Sequence, residues 1–442
     1  MAHARVVVRA TKPTARVEMD TVDPSPANQV LLLPETPGGG PNIAFFVDAP
    51  SDNYSFPTSP PQGFAIAGTA GAVIDVDWGD SSSNTYTMTG SAITMQHTYD
   101  TASPEGFPYE GLFYTDTNDL LTIRAHTVPV SFNTTALASS SVTYLQMYNA
   151  WALAGAASNL PSTLSHLEVM AGTLYSGLTG TISNFPSSLN YLRLLSGTNA
   201  NLTGTINDFA SSSFTVLALE GLSNITGTID NLATNYPSIT QLQLDSNGNI
   251  TGSIDNLSDS ISILYLIDQS GIAGSINNLP TGSQYVRLVN LSTSVTGNLA
   301  NLPDGILDLE ITNCGNNVTG TFSASLPSSL ERLVLTGPAT GFGGGDIASE
   351  TNLRFLKLDN ISANYVYSSA SWPAGMRYFQ VTPPATYGLS ATEVNSILID
   401  LAATTWTGEK FIDLRGSNAA RTSASDSAVA TLTGMGVTVY TN

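Results

Sequence analysis

The feature that most constrains this chain is a spacing. A phrase of the form apolar-x-x-apolar-x-apolar recurs with its first position at Val142, Leu164, Leu189, Phe214, Ile239, Ile261, Ser283, Ile306, Leu330, Leu353 and Met376, at intervals of 22, 25, 25, 25, 22, 22, 23, 24, 23 and 23 residues. Between these phrases fall Gly180, Gly204, Gly227, Gly252, Gly274, Gly297 and Gly320, in Thr-Gly phrases or close variants such as NLTGTI, NITGTI, NITGSI and NVTGTF. Two independent markers on one period define a repeat too small to bury its own apolar face, so the core must close by stacking neighbours. The apolar-x-apolar pair predicts a short strand with both side chains inward, because alternate residues share a face, and stacked copies predict a parallel sheet. Each Gly predicts a tight turn, with the Ile two residues later pointing inward to start a second short strand. The return stretches, such as SNFPSSL and NNLPTGS, are Ser- and Pro-rich and too short for a long helix.

These residues resemble the leucine-rich repeat family, in the variety whose repeat continues into L-x-G-x-I after the strand. The resemblance covers roughly residues 136–384. Where that family has Asn or Cys to bond the turn backbone, this chain has Gly172, Gly197, Leu222, Asn247, Gln269, Leu291, Cys314, Pro338 and Ile361, so only Asn247 and Cys314 match and Gln269 is a near substitute. A second row, Asn201, Asn224, Asn249 and Asn317, each three residues before the Gly, is the expected replacement. The same row forms N-x-Thr sequons, which a repeat with Asn at a fixed turn position generates without any glycosylation.

A repeat stack needs atypical caps. At the C-terminal end, residues 385–442, Ser390 and Glu393 predict a capping box opening an amphipathic helix with Val394, Ile397, Leu398 and Leu401 on one face. FIDL at 411–414, a second helix from about Ser425 to Leu432, and VTVY at 437–440 complete the α/β cap. This tail looks like the terminal segment of leucine-rich-repeat proteins of Bacteroidetes-type bacteria and their phages. On the N-terminal side, VIDVDWGD at 73–80, MQHTYD at 95–100 and LLTIRA at 120–125 resemble a PKD-like β-sandwich over about 59–135. That resemblance implies that Trp78 packs in the core and Asp80 shapes the turn. Ser81 replaces the expected Gly, and PEGFPYEGLFYTDTN departs from the usual short hairpin. The expected fold is mainly β: a sandwich followed by a parallel-sheet solenoid.

Residues 1–58 are dense in Pro and Gly and read as an extended arm and linker. Arg5, Arg9, Lys12 and Arg16 all precede the first acid, Glu18, so the arm is basic on a chain of formal charge -20. Either a solvated tail or an anchor on an acidic assembly partner fits. With 14 Lys and Arg against 34 Asp and Glu, no nucleic-acid partner is expected. One cysteine, Cys314, forms no internal disulfide and completes no metal site with four histidines. No run approaches the ~18 apolar residues of a membrane span, and the N-terminus lacks the apolar run of a secretory signal, so an unprocessed chain is expected.

No catalytic set stands out. Neither His97 nor His166 has a nucleophile or metal partner at useful spacing. Asp75, Asp77 and Asp80 suit either a turn or a calcium site, and paired carboxylates of a glycosidase arise easily by chance among 34 acids. No cofactor and no metal are expected. The informative pattern lies at outward strand positions: Tyr191, Arg193, Gln241, Gln243, Tyr265, Tyr285, Arg287, Asp308, Glu310, Arg332, Arg354, Phe355, Lys357, Arg377, Tyr378 and Arg415, which hold seven of the 14 basic residues. Rings stack on sugars and guanidinium groups fork onto carboxylates, so the surface reads either as a site for an anionic glycan or protein or as solubilising cover. Surface-type modules, no leader and a basic arm together point to a non-enzymatic bacteriophage virion protein, present in multiple copies. It would be held to other virion proteins by the arm and would present the solenoid to the host surface. A bacterial extracellular adhesin or matrix protein is the alternative, and a carbohydrate-active enzyme the third.

Overall fold

The computed structural model describes residues 8–10, 32–34, 43–47, 49–57, 63–103, 109–115, 121–126, 130–148, 152–170, 177–195, 201–247, 249–291, 295–315, 317–321, 326–337, 342–343, 352–360, 367, 371–384, 386 and 388–442. The chain divides into two compact units, Met1–Gly155 with Asn159–Leu164, and Ala156–Ser158 with Ser165–Asn442.

In the first unit two sheets face each other across an aromatic core. Ile43–Val47 pairs antiparallel with Tyr109–Thr115 and Val130–Asn133, and Tyr109–Thr115 continues to Val73–Asp77 and Ser83–Thr87. Opposite, Gly63–Ala67 lies between Ile93–Met95 and Leu121–His126. Phe45, Phe64, Trp78, Phe113 and Phe132 are buried between the sheets, with Phe45 stacked on Phe113 at 4.7 Å and Trp78 edge-on to Phe45 at 6.0 Å. Such rings bring large apolar area per residue, which a small two-sheet unit needs. Ile43–Val47 and the buried Phe56 come from the stretch that the sequence presents as linker, so the ordered unit begins well before residue 59. Pro and Gly density mislabels it because alternation over five residues is a short signal. Leu121–His126 and Val130–Asn133 each take a parallel partner, Val142–Tyr148 and Ala152–Ala156, so both sheets run on into the first repeat.

In the second unit His166–Met170, Tyr191–Leu195, Val216–Glu220, Gln241–Asp245, Ile263–Ile267, Tyr285–Val289, Asp308–Thr312, Arg332–Thr336, Phe355–Asp359, Met376–Thr382, Trp406–Leu414 and Thr438–Thr441 form one parallel sheet in chain order. Its register is strict, with Leu242 and Leu244 aligned on Leu264 and Leu266, then on Val286 and Leu288. The inward pairs are buried, as are all eleven first positions of the repeat phrase, Ser283 included. A buried Leu or Ile contributes ~1.5–3 kcal/mol, so each added repeat stabilises its neighbour's exposed flank.

The second ladder differs from expectation. The Thr-Gly phrases are themselves the strands, as in Leu202–Thr205, Ile225–Thr228 and Asn249–Ser253, and the Ile after them opens a turn instead of a strand, a 3₁₀ turn at Ile229 and Ile254. The reason is the residue between Gly and Ile. Thr228, Ser253, Ser275 and Asn298 each cap the turn by accepting from the backbone N–H two residues on, which bends the chain out of the sheet.

The polar bonding between repeats is also relocated. Asn201, Asn224 and Asn317 are exposed, and only the backbone of Asn249 is described. The cross-repeat bonds come instead from the residue that follows the inward Ile of the turn. Asn207 accepts from Thr228 N–H at 3.1 Å and donates to Thr228 C=O at 3.0 Å; Asp230 accepts from Ser253 N–H at 2.7 Å, and Asp255 from Ser275 N–H at 2.7 Å. At the far end of the main strands Ser246, Asp268, Asn290 and Asn313 take positive φ, and Asn290 bridges Asp268 at 2.6 Å and Asn313 at 3.0 Å.

Asn247 fills the family role: its Nδ2 donates to Leu219 C=O at 2.7 Å and its Oδ1 accepts from Leu222 N–H at 2.9 Å. Cys314 Sγ donates to Leu288 C=O at 3.1 Å, and burial pushes its thiol up to about 11. Gln269 reaches Ile267 C=O but leaves its buried Oε1 without a partner. Leu222 and Leu291 are simply buried, while Gly172, Gly197, Pro338 and Ile361 lie outside the described residues. In the cap, Ala391–Ala402 opens on the Ser390–Glu393 capping box and buries Val394, Ile397, Leu398 and Leu401; the second helix is Asp426–Gly434.

Candidate functional site

The outward positions of the main sheet stand in columns, because parallel strands in register place each side chain about 4.8 Å from its equivalents. The first column runs Tyr191, Val216, Gln241, Ile263, Tyr285, Asp308, Arg332, Phe355, Tyr378 and Phe411, and the second runs Arg193, Ala218, Gln243, Tyr265, Arg287, Glu310, Val334, Lys357, Gln380 and Asp413. At that spacing the contacts are fixed by the sequence of types along each column.

Most of the cations are already compensated. Arg332 donates to Asp308 at 2.7 Å and Glu310 at 3.1 Å; Arg415 forks onto Asp413 at 2.9 and 2.8 Å; Arg193 lies 3.4 Å from the buried Glu168. Lys357 Nζ lies 3.9 Å from Asp359. Burial pushes the Asp413 carboxyl up, but the Arg415 bonds outweigh it and hold that carboxyl below the usual range. The face is thus a balanced polar network, not the cationic patch that its composition suggests. Glu168, invisible as a partner in sequence, is identifiable only through the register Glu168↔Arg193.

The rings are equally engaged. Phe355 stacks on Tyr378 at 4.3 Å, Tyr378 on Phe411 at 4.9 Å, and Phe411 meets Tyr440 at 5.5 Å; Arg332 covers the free face of Phe355 and Arg415 covers Tyr440. This stack uses its own faces and is closed by a guanidinium at each end, so it offers ring edges to a ligand. Tyr191 is likewise stacked on His166 at 3.9 Å. Phe411 and Tyr440 were detectable in principle, since they fall at the aromatic register of FLKL and YFQV. Arg354 and Arg377 sit apart from the columns: Arg354 donates to Ala374 C=O, and Arg377 is exposed at the register irregularity between Met376 and Tyr378.

The centre of the face is the least enclosed part. Arg287 lies over Tyr265 at 5.0 Å, its side chain is 42% exposed, and its Nε pairs at 3.8 Å with Glu310, the carboxylate that Arg332 also holds. Tyr285, two residues earlier on the same strand, is 38% exposed, and among the described residues neither a second ring nor a guanidinium lies over it. Gln243 is half-buried beside Tyr265.

Away from this face, Trp78 is fully buried, stacked on His97 at 4.6 Å, and donates to Asn84 at 2.6 Å. Asp80 bonds Ser82 N–H at 3.0 Å and His97 Nε2 at 2.7 Å. Burial pushes this carboxyl up, and the bonds from Ser82 and His97 more than reverse it, so it sits below the ordinary range. Ser81 adopts φ +75°, the conformation a Gly would take at no cost. Asp75 accepts from Thr85 at 2.5 Å and Asp77 from Gly79 N–H at 2.9 Å. Among the described residues no group of three or more His, Cys, Asp or Glu is placed to hold a metal. Arg5, Lys12 and Arg16 lie outside the described residues; Arg9 belongs to the short strand Val8–Ala10, paired with Leu32–Pro34.

Parallel ladders in L-x-L register with a Gly-containing second strand define a leucine-rich-repeat-type solenoid. No protein-family model matches the chain, and no curated protein matches its sequence. Among solved structures, a plant peptide hormone receptor, RGFR1 in complex with RGF2, is similar at 14% identity and a TM-score of 0.33, over 64% of this chain and 53% of that one. The chain therefore spans about half the length of that receptor chain. No helix among the described residues is long and apolar enough to cross a membrane.

Proposed function

We propose that this chain is a non-enzymatic recognition protein of a bacteriophage particle, held through its N-terminal region and offering the outward face of the repeat sheet to a host-surface glycan or protein. The observation that carries the binding reading is the centre of that face, where Tyr285 is 38% exposed and the Arg287 side chain, paired with Glu310, is 42% exposed, between a denser charge network and a closed ring stack. Tyr and Arg on a rigid support are the residues on which binding energy concentrates, because they bring large contact area at small entropic cost. The PKD-like reading of the first unit, supported by the buried Trp78 and the Asp80 turn, makes it a spacer or docking module. The basic arm supports assembly on an acidic partner.

Antibody raised against the purified chain should label purified particles, and the chain itself should bind host cells in a pull-down. Label confined to bacterial cells or matrix would decide for the extracellular adhesin, and release of oligosaccharides from host polysaccharide would decide for an enzyme.

A further inference from the structure

We infer that the centre of the repeat face takes a basic side chain of a protein partner, its stem on Ile267 and Val289 and its charge at Asp245 and Asp268, with an apolar partner residue against Tyr285 and Ile263. This rests on the reading of that face as a binding surface and names the class of partner. The outward positions change character at the centre. Strand Ile263–Ile267 turns Ile263, Tyr265 and Ile267 outward and the next strand adds Tyr285 and Val289, whereas repeats on either side carry the Arg193–Glu168 and Arg332–Asp308–Glu310 networks. Ile263, Ile267 and Val289 are half-buried, and Tyr285 is one of three large apolar side chains left exposed among the described residues. An apolar centre within a polar rim is the anatomy of a protein interface.

The rim fixes the sign of the partner's charge. Glu220, Asp245, Ile267 and Val289 follow one another in one column, about 4.8 Å apart, and Asp268 follows Ile267 in the chain. Among the described residues none of the three carboxylates is ion-paired. Neutral donors serve the two aspartates: Ser246 Oγ lies 2.8 Å from Asp245 and 3.3 Å from Asp268, and Asn290 donates to Asp268 at 2.6 Å. Burial and the facing Asp245 charge push the Glu220 carboxyl up, against the pull of Arg193. Like charges opposite one another cost stability, and an incoming cation relieves that cost. A Lys or Arg stem lying across Val289 and Ile267 spans one strand spacing and brings its head to the carboxylates. Arg287 does not fill this place, since it lies over Tyr265 and pairs with Glu310. Four residues of strand separate Ile267 from Ile263, about 13 Å. An extended partner segment therefore meets both ends of the patch with a basic and an apolar residue four positions apart, whereas a neutral or anionic glycan offers no cation to the rim.

The test is retention of the full chain on densely immobilised Gly-Ser peptides that carry one Lys and one Trp, the Trp placed two, four or six positions to either side, and on the same peptides with Glu for Lys. Retention should be at least fivefold greater at four positions than at two or six, and should vanish with Glu. The double variant Asp245→Asn with Asp268→Asn, and Tyr285→Ser alone, should each lower it at least fivefold. Asp100→Asn with Asp304→Asn removes the same charge at exposed positions elsewhere and should match wild type. Circular dichroism should show all variants folded. Absence of retention, equal retention at every spacing or with Glu, or unchanged retention by either folded variant would overturn the subsite. An equal loss in the Asp100 and Asp304 control would also overturn it, because the chain's formal charge of -20 would then account for the attraction. Particle labelling and host-cell pull-down are read on the wild-type chain, so the subsite can fail while the recognition role stands, and the reverse.

Discussion

Gly252 shows how tightly a single position is held. Its φ is +121°, and a Cβ there would lie 2.6 Å from Thr228 Oγ1 and 2.9 Å from Ile229 Cγ1 of the preceding repeat. Gly252→Ala is expected to cost about 2 kcal/mol or more, from backbone strain and the clash together. Gly434, at the end of the last helix with nothing within 4 Å, is the opposite case, and Gly434→Ala should gain about 0.5–1 kcal/mol. Thermal unfolding of both variants checks the pair. The Thr-Gly phrase revealed that a Gly was needed, but not that the neighbouring repeat's turn is what crowds it.

At the scale of elements, the turn bonds decide. Asn247→Leu should fit sterically, since Leu222 and Leu291 are buried at the same repeat position, yet it strands Leu219 C=O and Leu222 N–H. The expected loss is about 1–3 kcal/mol, read from the urea midpoint. In the first unit Asp80 sets a pH dependence. A folded-state pKa held below the unfolded value contributes stability at pH above about 4, and that contribution disappears as pH falls through the lowered folded value. The gap in melting temperature between wild type and Asp80→Asn should therefore be largest near neutral pH and shrink on acidification; a constant gap would refute the Asp80–His97 account. The DWGD and HTY phrases made this cluster legible, because both ends of the contact carry a motif.

For the repeat stack of the second unit, each repeat touches its neighbours through one register. Removing residues 241–262, the 22 residues from one strand start to the next, would bring Val216 opposite Ile263 and Asp230 to the Ser275 turn, which Asp255 now serves. That deletion should fold, with unchanged circular dichroism per residue and a modestly lower melting temperature. Removing 241–251 alone breaks both ladders and should yield no cooperative transition.

The sequence by itself determined the period, the inward apolar pairs, the position of the glycines and the capping box, because each is a local pattern whose physical consequence is nearly independent of what surrounds it. It did not determine which Asn and Asp residues tie the repeats together, since Asn207, Asp230 and Asp255 act on backbone 20 or more residues away. Nor did it show which carboxylate each cation of the repeat face meets. The columns of the repeat face were legible as a list of outward types, but pairing across strands follows register at the scale of a few ångströms. Only the folded sheet shows that Arg332 and Arg415 donate hydrogen bonds to carboxylates while Arg287 shares Glu310 at the longer distance of 3.8 Å.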